Sequence, residues 1–485
     1  MADGSKQGGR RGGKRPPPGR SGKRPPPGGA GKREGQGHRG GEGGEAQPSG
    51  FNPPRLAKAV SLPPSRPQYA DAWTAVVTPA AVNLVTVGHP WLFSGALQTL
   101  DAPTGADRDP GGLCVVLAPD GRPLGLGLCN PQSQISVRML GRLEAEVAPS
   151  SLPTLASLVV SRLEAATALR RLIGRPAPDR TAYRLVHSEG DALPGLSIDR
   201  IGNGASVLVS AASGLRMLPI AADWLMGPGG CAFVIARAAH DAHPSEGLGS
   251  GTLLQRGTLG AEGAAAEAQQ VQVGQALFSV DPTGGQKGGI FTDQLDNHLA
   301  VAGLAKGRFV VDAYCHHGGF GIQAALAGAR RVLAIDASQK AVEAAQEAAT
   351  LSGVSDRFEV VCGDAVHLLA DLAAGVGAEL GRPDLIVLDP PKFATSKDGL
   401  DDALRKYSHV NATAMSALER GGILVSCSCS GRVDRITFLR MLGHAARRAG
   451  RDLQLLELRG AAMDHPSSPV HAEAHYLKVA ICRVI

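Results

Sequence analysis

The chain has 485 residues, 43% hydrophobic, 19% charged and 4% aromatic, which is room for several domains and a large buried core. Its net charge is +6, yet Met1 to Gly50 hold 11 Lys+Arg against 4 Asp+Glu, so this segment carries +7 and the other 435 residues sum to −1. A near-neutral body that binds nucleic acid must do so through a local patch. No run of about 18 apolar residues predicts a membrane helix. The first 50 residues hold no apolar stretch of secretory type and are too Gly/Pro-rich and Ser-poor for a transit peptide. The 8 cysteines form no C-x-x-C pair. That pattern predicts free thiols in a reducing, cytoplasmic setting, without a zinc ribbon, other metal site or disulfide framework.

Residues 1–68 read as a basic, disordered tail and linker. Met1 to Gly50 contain 17 Gly and 7 Pro, and Gly13-Lys-Arg-Pro-Pro-Pro-Gly19 recurs as Gly22-Lys-Arg-Pro-Pro-Pro-Gly28. Such a segment buries too little to offset its ordering entropy. It serves either as a phosphate-binding tail on RNA or as a solubilising extension. Residues 69–145 show short apolar runs at Ala75, Gly112–Leu117, Leu124–Leu128 and Ile135–Met139, separated by Gly, Pro, Asp and Asn, and so predict a small β-domain. Residues 146–285 read as an α+β central domain: a helix around Leu152–Leu169, strands at Gly195–Asp199, Ala205–Val209 and Ala232–Ile235, a helix at Leu218–Met226, and a loop near 245–270.

From 286 to 485 strands alternate with helices. Strands are expected at Phe309–Tyr314, Arg331–Ile335, Phe358–Cys362, Leu385–Leu388, Ile423–Ser426, Leu453–Leu458 and Leu477–Cys482. Seven strands with helical crossovers predict a doubly wound, Rossmann-like α/β sheet, its last two strands antiparallel at one edge. Ligands in such sheets sit at the carboxyl ends of the strands. The first strand ends in Asp312-Ala-Tyr-Cys-His-His-Gly-Gly-Phe-Gly321, where Gly318 and Gly319 permit close approach and open a helix. The second ends in Asp336, 24 residues after Asp312 and suited to ribose hydroxyls. The third ends at Asp364, suited to an adenine amino group. A dinucleotide site wants G-x-G-x-x-G, whereas here two histidines fill the turn and Asp312 would repel phosphate. S-adenosylmethionine has a cationic amino-acid moiety and no phosphate, so it fits better.

The fourth strand ends in Asp389-Pro-Pro-Lys-Phe393. Two prolines stop the sheet and hold a carboxylate and a ring at its edge, a pair able to grip an extruded base. The fifth ends in Ser426-Cys-Ser-Cys-Ser430. Pyrimidine C5 is too weak a nucleophile to accept a methyl group unaided; a thiolate adding to C6 activates it. Cys427 and Cys429 point to the same face of a strand, so direction does not choose between them.

Jointly these residues resemble a known family. Gly88-His-Pro-Trp-Leu-Phe-Ser-Gly95 resembles the PUA-type domain, and Gly190–Asp199 the central domain, of RlmI-type ribosomal RNA cytosine-C5 methyltransferases. Gly284-Gly-Gln-Lys-Gly-Gly-Ile-Phe-Thr-Asp293, the Gly318-Gly-Phe320 turn, Asp389–Phe393, Ser428-Cys-Ser430, Asp464-His-Pro466 and Tyr476-Leu-Lys478 extend the likeness from about Tyr69 to Ile485. The resemblance implies a cytosine of large-subunit rRNA as substrate and S-adenosylmethionine as cofactor, bound by Asp312, Tyr314, Gly318, Gly319, Phe320, Asp336, Asp364, Asp389 and Lys287. It implies Cys429, Asp389 and Phe393 as the catalytic set, with Lys392 or the cofactor's charge available to favour the thiolate. The chain departs from the family at Lys287-Gly288-Gly289, at Leu295 and His298 where arginines are usual, and at His316-His317. Two other readings stand beside this one: an RNA N-methyltransferase using Asp389–Phe393, and an RNA-binding protein without catalysis. The oligomeric state stays open, a homodimer included.

Overall fold

The computed structural model describes residues 69, 71–104, 108–143, 152–257, 268–283, 289–377, 379, 381–393 and 399–485. The basic tail and Lys287 lie outside them. The first lobe contains strand β1 (Trp73–Val77), helix α1 (Pro79–Val87), and strands β2 (Trp91–Phe93), β3 (Leu97–Asp101), β4 (Gly112–Leu117), β5 (Pro123–Cys129) and β6 (Ile135–Arg142). They form one sheet in the order β2-β6-β5-β4-β1-β3. Helix α1 was not expected in the β-domain. Its Ala-Ala-Val-Asn-Leu-Val-Thr-Val run buries only Ala81 and Val85 and carries β-branched residues, so it reads as strand or loop. The ends decide instead: Thr78 accepts the Ala81 N–H, Pro79 stands in the first turn, and Gly88 closes the helix at φ +88°.

The second lobe has α2 (Leu155–Leu172), β7 (Ala182–His187), β8 (Leu196–Ile201), β9 (Gly204–Val209), α3 (Ala212–Met226), β10 (Phe233–Ala238) and β11 (Thr252–Gly257), with strand order β11-β10-β9-β8-β7. Strand β11 corrects the loop expected near 245–270. It pairs with β10, Phe233 opposite Gly257 and Ile235 opposite Gln255. As an exposed edge strand it lacks the apolar alternation that would betray it.

A hairpin of β12 (Gln269–Val273) and β13 (Ala276–Val280) precedes the third lobe. The expected boundary near 285 puts it in the central domain. Its Val271, Val273, Phe278 and Val280 instead share a core with the seven-stranded sheet, and we place it with that sheet. The lobe continues through α4 (Leu295–Ala302), β14 (Phe309–Ala313), α5 (Gly319–Leu326), β15 (Arg331–Asp336), α6 (Gln339–Leu351), β16 (Phe358–Cys362), α7 (Ala365–Ala374), β17 (Leu385–Leu388), α8 (Leu400–Ala417), β18 (Ile423–Ser428), α9 (Arg435–Arg448), β19 (Leu453–Arg459) and β20 (Lys478–Val484). The order is β16-β15-β14-β17-β18-β20-β19. Five strands run parallel, and β20 lies antiparallel between β18 and β19. Every residue of β14 and β17 is buried, as a parallel sheet covered on both faces requires. The hairpin and α4–α6 cover one face; α7–α9 cover the other. The Rossmann-like α/β class expected from the sequence is what forms.

Buried charge ties the second lobe to the third. Arg170 forks onto Asp191 at 2.5 and 2.8 Å and donates to the Asp464 carbonyl at 2.7 Å. Asp464 accepts the Arg184 N–H at 3.1 Å, and Arg184 pairs with Asp199 at 2.7 and 3.1 Å. The Asp464-His-Pro466 segment therefore docks on β7 through groups fully withdrawn from water, where losing one partner strands the other.

Candidate active site

The carboxyl ends of β14, β15, β17 and β18 converge on one edge, because parallel strands with right-handed crossovers all end there. Asp312 ends β14 and is 1% exposed. One carboxylate oxygen accepts the Gly321 N–H at 2.8 Å; the other is buried with no hydrogen-bond partner. Burial, opposed by that bond and reinforced by Asp389 and Asp336, pushes its pKa up to about 7. A buried acceptor without a donor is what an absent cationic ligand leaves behind.

The following loop turns sharply. Tyr314, His316 and Gly318 all take left-handed conformations, at φ +65°, +50° and +78°; two of them are non-glycine, so the backbone stores strain at the site. At Gly319 a Cβ would stand 2.3 Å from the His298 ring, so only glycine lets α5 begin there. Phe320 is buried against that ring, centroids 4.4 Å apart. Burial and Arg180 hold the His298 pKa down to about 3. This histidine is therefore neutral and does not replace the charge of the arginine usual in the family. Burial lowers His316 and His317 as well. The loop offers little positive charge to a diphosphate.

Asp336 lies at the end of β15, half-buried, and accepts from the N–H groups of His316 and Ser338, both at 2.9 Å. Asp364 is exposed and caps α7 by accepting the His367 N–H at 2.9 Å. Tyr314 is half-buried, its hydroxyl pushed up to about 12 by burial and the Asp364 charge. The structure thus brings Asp312, Tyr314, Gly318, Gly319, Phe320 and Asp336 to one strand-end loop cluster, with Asp364 at its rim.

Asp389 ends β17. Its Oδ2 accepts from Gln294 Nε2 at 2.9 Å. Phe393 is half-buried with its ring 4.8 Å from that of Tyr407, and Tyr407 shares a hydrogen bond of 3.1 Å with Ser430. The two cysteines differ. Cys427 is 0% exposed, and burial with the Asp389 charge drives its thiol well above the ordinary range. Cys429 lies one residue beyond β18 and is half-buried. Lys392 is exposed, its ammonium 3.8 Å from Asp241. Sequence reasoning did not pair Lys478 with Cys429. Lys478 is 0% exposed, donates to the carbonyls of Ser430 at 2.6 Å and Tyr476 at 2.8 Å, and is electrostatically coupled to Cys429. Burial holds its pKa down to about 8. The signal was in the sequence: a lysine opening a mostly apolar strand, Lys478–Val484.

A family model of PUA-like domains matches residues 76–142, the first sheet. A model of RNA cap guanine-N2 methyltransferases matches 307–397, from β14 to just past Phe393. Ribosomal RNA large subunit methyltransferase I of Shewanella denitrificans is 34% identical over 398 residues, 82% of this chain and 95% of that protein. The protein of the same name from Vibrio cholerae is 32% identical over 402 residues, 82% of this chain and 96% of its own.

The chain belongs to the ribosomal RNA large subunit methyltransferase I family.

The fold agrees. A methyltransferase structure solved with SAH, SMU.776, superposes with a TM-score of 0.68, covering 84% of this chain and 99% of that one at 15% identity. As a family member the chain is an S-adenosylmethionine-dependent methyltransferase. No helix among the described residues is long and apolar enough to cross a membrane.

Proposed function

We propose that this chain forms 5-methylcytosine in large-subunit ribosomal RNA in the cytoplasm, with Cys429 as nucleophile. The observation that carries the reading is the contrast at the end of β18: Cys427 is sealed in the core, whereas Cys429 is half-buried beside a buried lysine. Bound S-adenosylmethionine supplies an electrophilic methyl group. Asp312 faces its cationic amino-acid end, Asp336 its ribose, and Tyr314, Gly318, Gly319 and Phe320 shape the loop around it. Asp364 stands at the adenine side and Lys287 at the preceding glycine-rich segment. Phe393 stacks on the target base and Asp389 bonds its edge. The Cys429 thiolate adds to C6, and the electron pair displaced from the C5–C6 double bond makes C5 nucleophilic. Once C5 has gained its methyl carbon, the C5 proton passes to water. The electron pair of that C–H bond re-forms the double bond and expels the thiolate. The Lys478 ammonium favours the ionised thiol at the start and at the end.

N-methylation is the second reading, favoured by the guanine-N2 family match. That match takes in the cofactor loops and Asp389–Phe393 but ends before Cys429, so it says nothing about the thiol chemistry. Mapping 5-methylcytosine in rRNA from cells with and without the gene tests the proposal. A site lost with the gene and restored by it supports the reading; an unchanged 5-methylcytosine map refutes it.

A further inference from the structure

A chain of side-chain amides runs behind Asp389. Arg459, at the end of β19, donates from Nε to Asn297 Oδ1 at 2.8 Å. Asn297 Nδ2 donates to the Gly460 carbonyl at 3.0 Å and to Gln294 Oε1 at 2.7 Å. Gln294 Nε2 then donates to Asp389 Oδ2 at 2.9 Å. Asn297 is 1% exposed and Gln294 3%, so water does not rescue a misdirected amide.

Two groups fix the direction of this chain. A guanidinium N–H only donates, so the Asn297 atom facing it is oxygen. A backbone carbonyl only accepts, so the Asn297 atom facing Gly460 is nitrogen. That nitrogen obliges Gln294 to offer oxygen, which leaves the Gln294 nitrogen for Asp389. Hence Asp389 Oδ2 accepts, and the arrangement favours the ionised carboxylate. We propose that Arg459, Asn297 and Gln294 are positioning residues that hold Asp389 as a hydrogen-bond acceptor and thereby select a pyrimidine bearing an exocyclic amine over one bearing a carbonyl. Cytosine presents N4–H₂ donors on that edge where uracil presents an oxygen, which a fixed acceptor repels. This rests on the cytosine reading above.

Among the described residues, Asp312 from β14 and Cys427 from β18 feel the Asp389 charge. Cys427 also contacts Gln294, and Arg459 also pairs with Glu457 at 2.6 Å.

Asn297→Asp reverses the relay. Arg459 still finds an oxygen, but Gln294 must turn its NH₂ toward residue 297 and its oxygen toward Asp389, which then needs a proton to pair with it. The probes are a protein-free large-subunit rRNA transcript and the same transcript with uridine at the methylated cytidine. The wild type should methylate the first only. N297D should move the acid limb of kcat/KM upward by about one pH unit or more and cut the cytidine-to-uridine preference at least tenfold. If N297D does not fold, the pair Arg459→Met and Arg459→Lys is read instead, the methionine variant shifting the limb and the lysine variant restoring it. A folded variant with an unmoved limb and unaltered preference overturns the relay, and so does a loss of rate that is uniform across pH. Failure of the wild type to methylate any cytidine overturns the underlying cytosine reading instead.

Discussion

Asp312 and Lys478 are both buried, and each gives a pH-dependent prediction. The Asp312 pKa is raised from 3.8 to about 7. Ionising it in the free protein therefore opposes folding, and the stability present below about pH 4 is lost as pH rises through 7. A cationic cofactor prefers the ionised form, so binding expels the proton. S-adenosylmethionine affinity should accordingly fall on acidification below pH 7, by at most tenfold per unit, and Asp312→Asn should bind weakly at every pH with that slope gone. Titration calorimetry at pH 5.5, 6.5 and 7.5 measures both; a pH-independent wild type would contradict the placement. Lys478→Met removes the cation beside Cys429, so the pH midpoint of Cys429 alkylation should rise by about one unit or more. Peptide-resolved iodoacetamide labelling reads it. An unmoved midpoint would leave Lys478 a structural residue only.

Elements were legible where their residues answer to one environment. Strands β14 and β17 are buried on both faces and read as continuous apolar runs, so the sheet and its strand-end acids were visible in the sequence. Helix α1 and strand β11 were not, because capping residues decide one and a neighbouring strand the other. The amide relay was invisible for another reason: Asn297 and Arg459 are 162 positions apart, and neither belongs to a local motif. Burial distinguishes Cys429 from Cys427, which alternation along a strand does not do. At this scale Gly319→Ala is the informative substitution. Its Cβ would collide with His298 at the start of α5, and overpacking of this kind costs about 1–3 kcal/mol. The thermal midpoint should fall and cofactor affinity with it. Unaltered values for both would show that the helix start has slack that the contact denies.

At the scale of the molecule, charge is segregated: residues 1–50 carry +7 and the rest −1. Deleting residues 1–50 should flatten the salt dependence of RNA binding, since each phosphate neutralised adds about 0.7 to the slope on single strands, while methylation persists. Matching slopes for truncated and full-length protein would show that the tail makes no RNA contact. The central proposal is a single chemical event, covalent addition of Cys429 to a cytosine. RNA containing 5-fluorocytidine tests it most directly, because fluorine at C5 does not depart as the proton does and the thioether persists. With S-adenosylmethionine present, a stable protein–RNA adduct should accumulate, and peptide mapping should place it on Cys429. An adduct on Cys427, or full methylation activity in a Cys429→Ala variant, would contradict the mechanism.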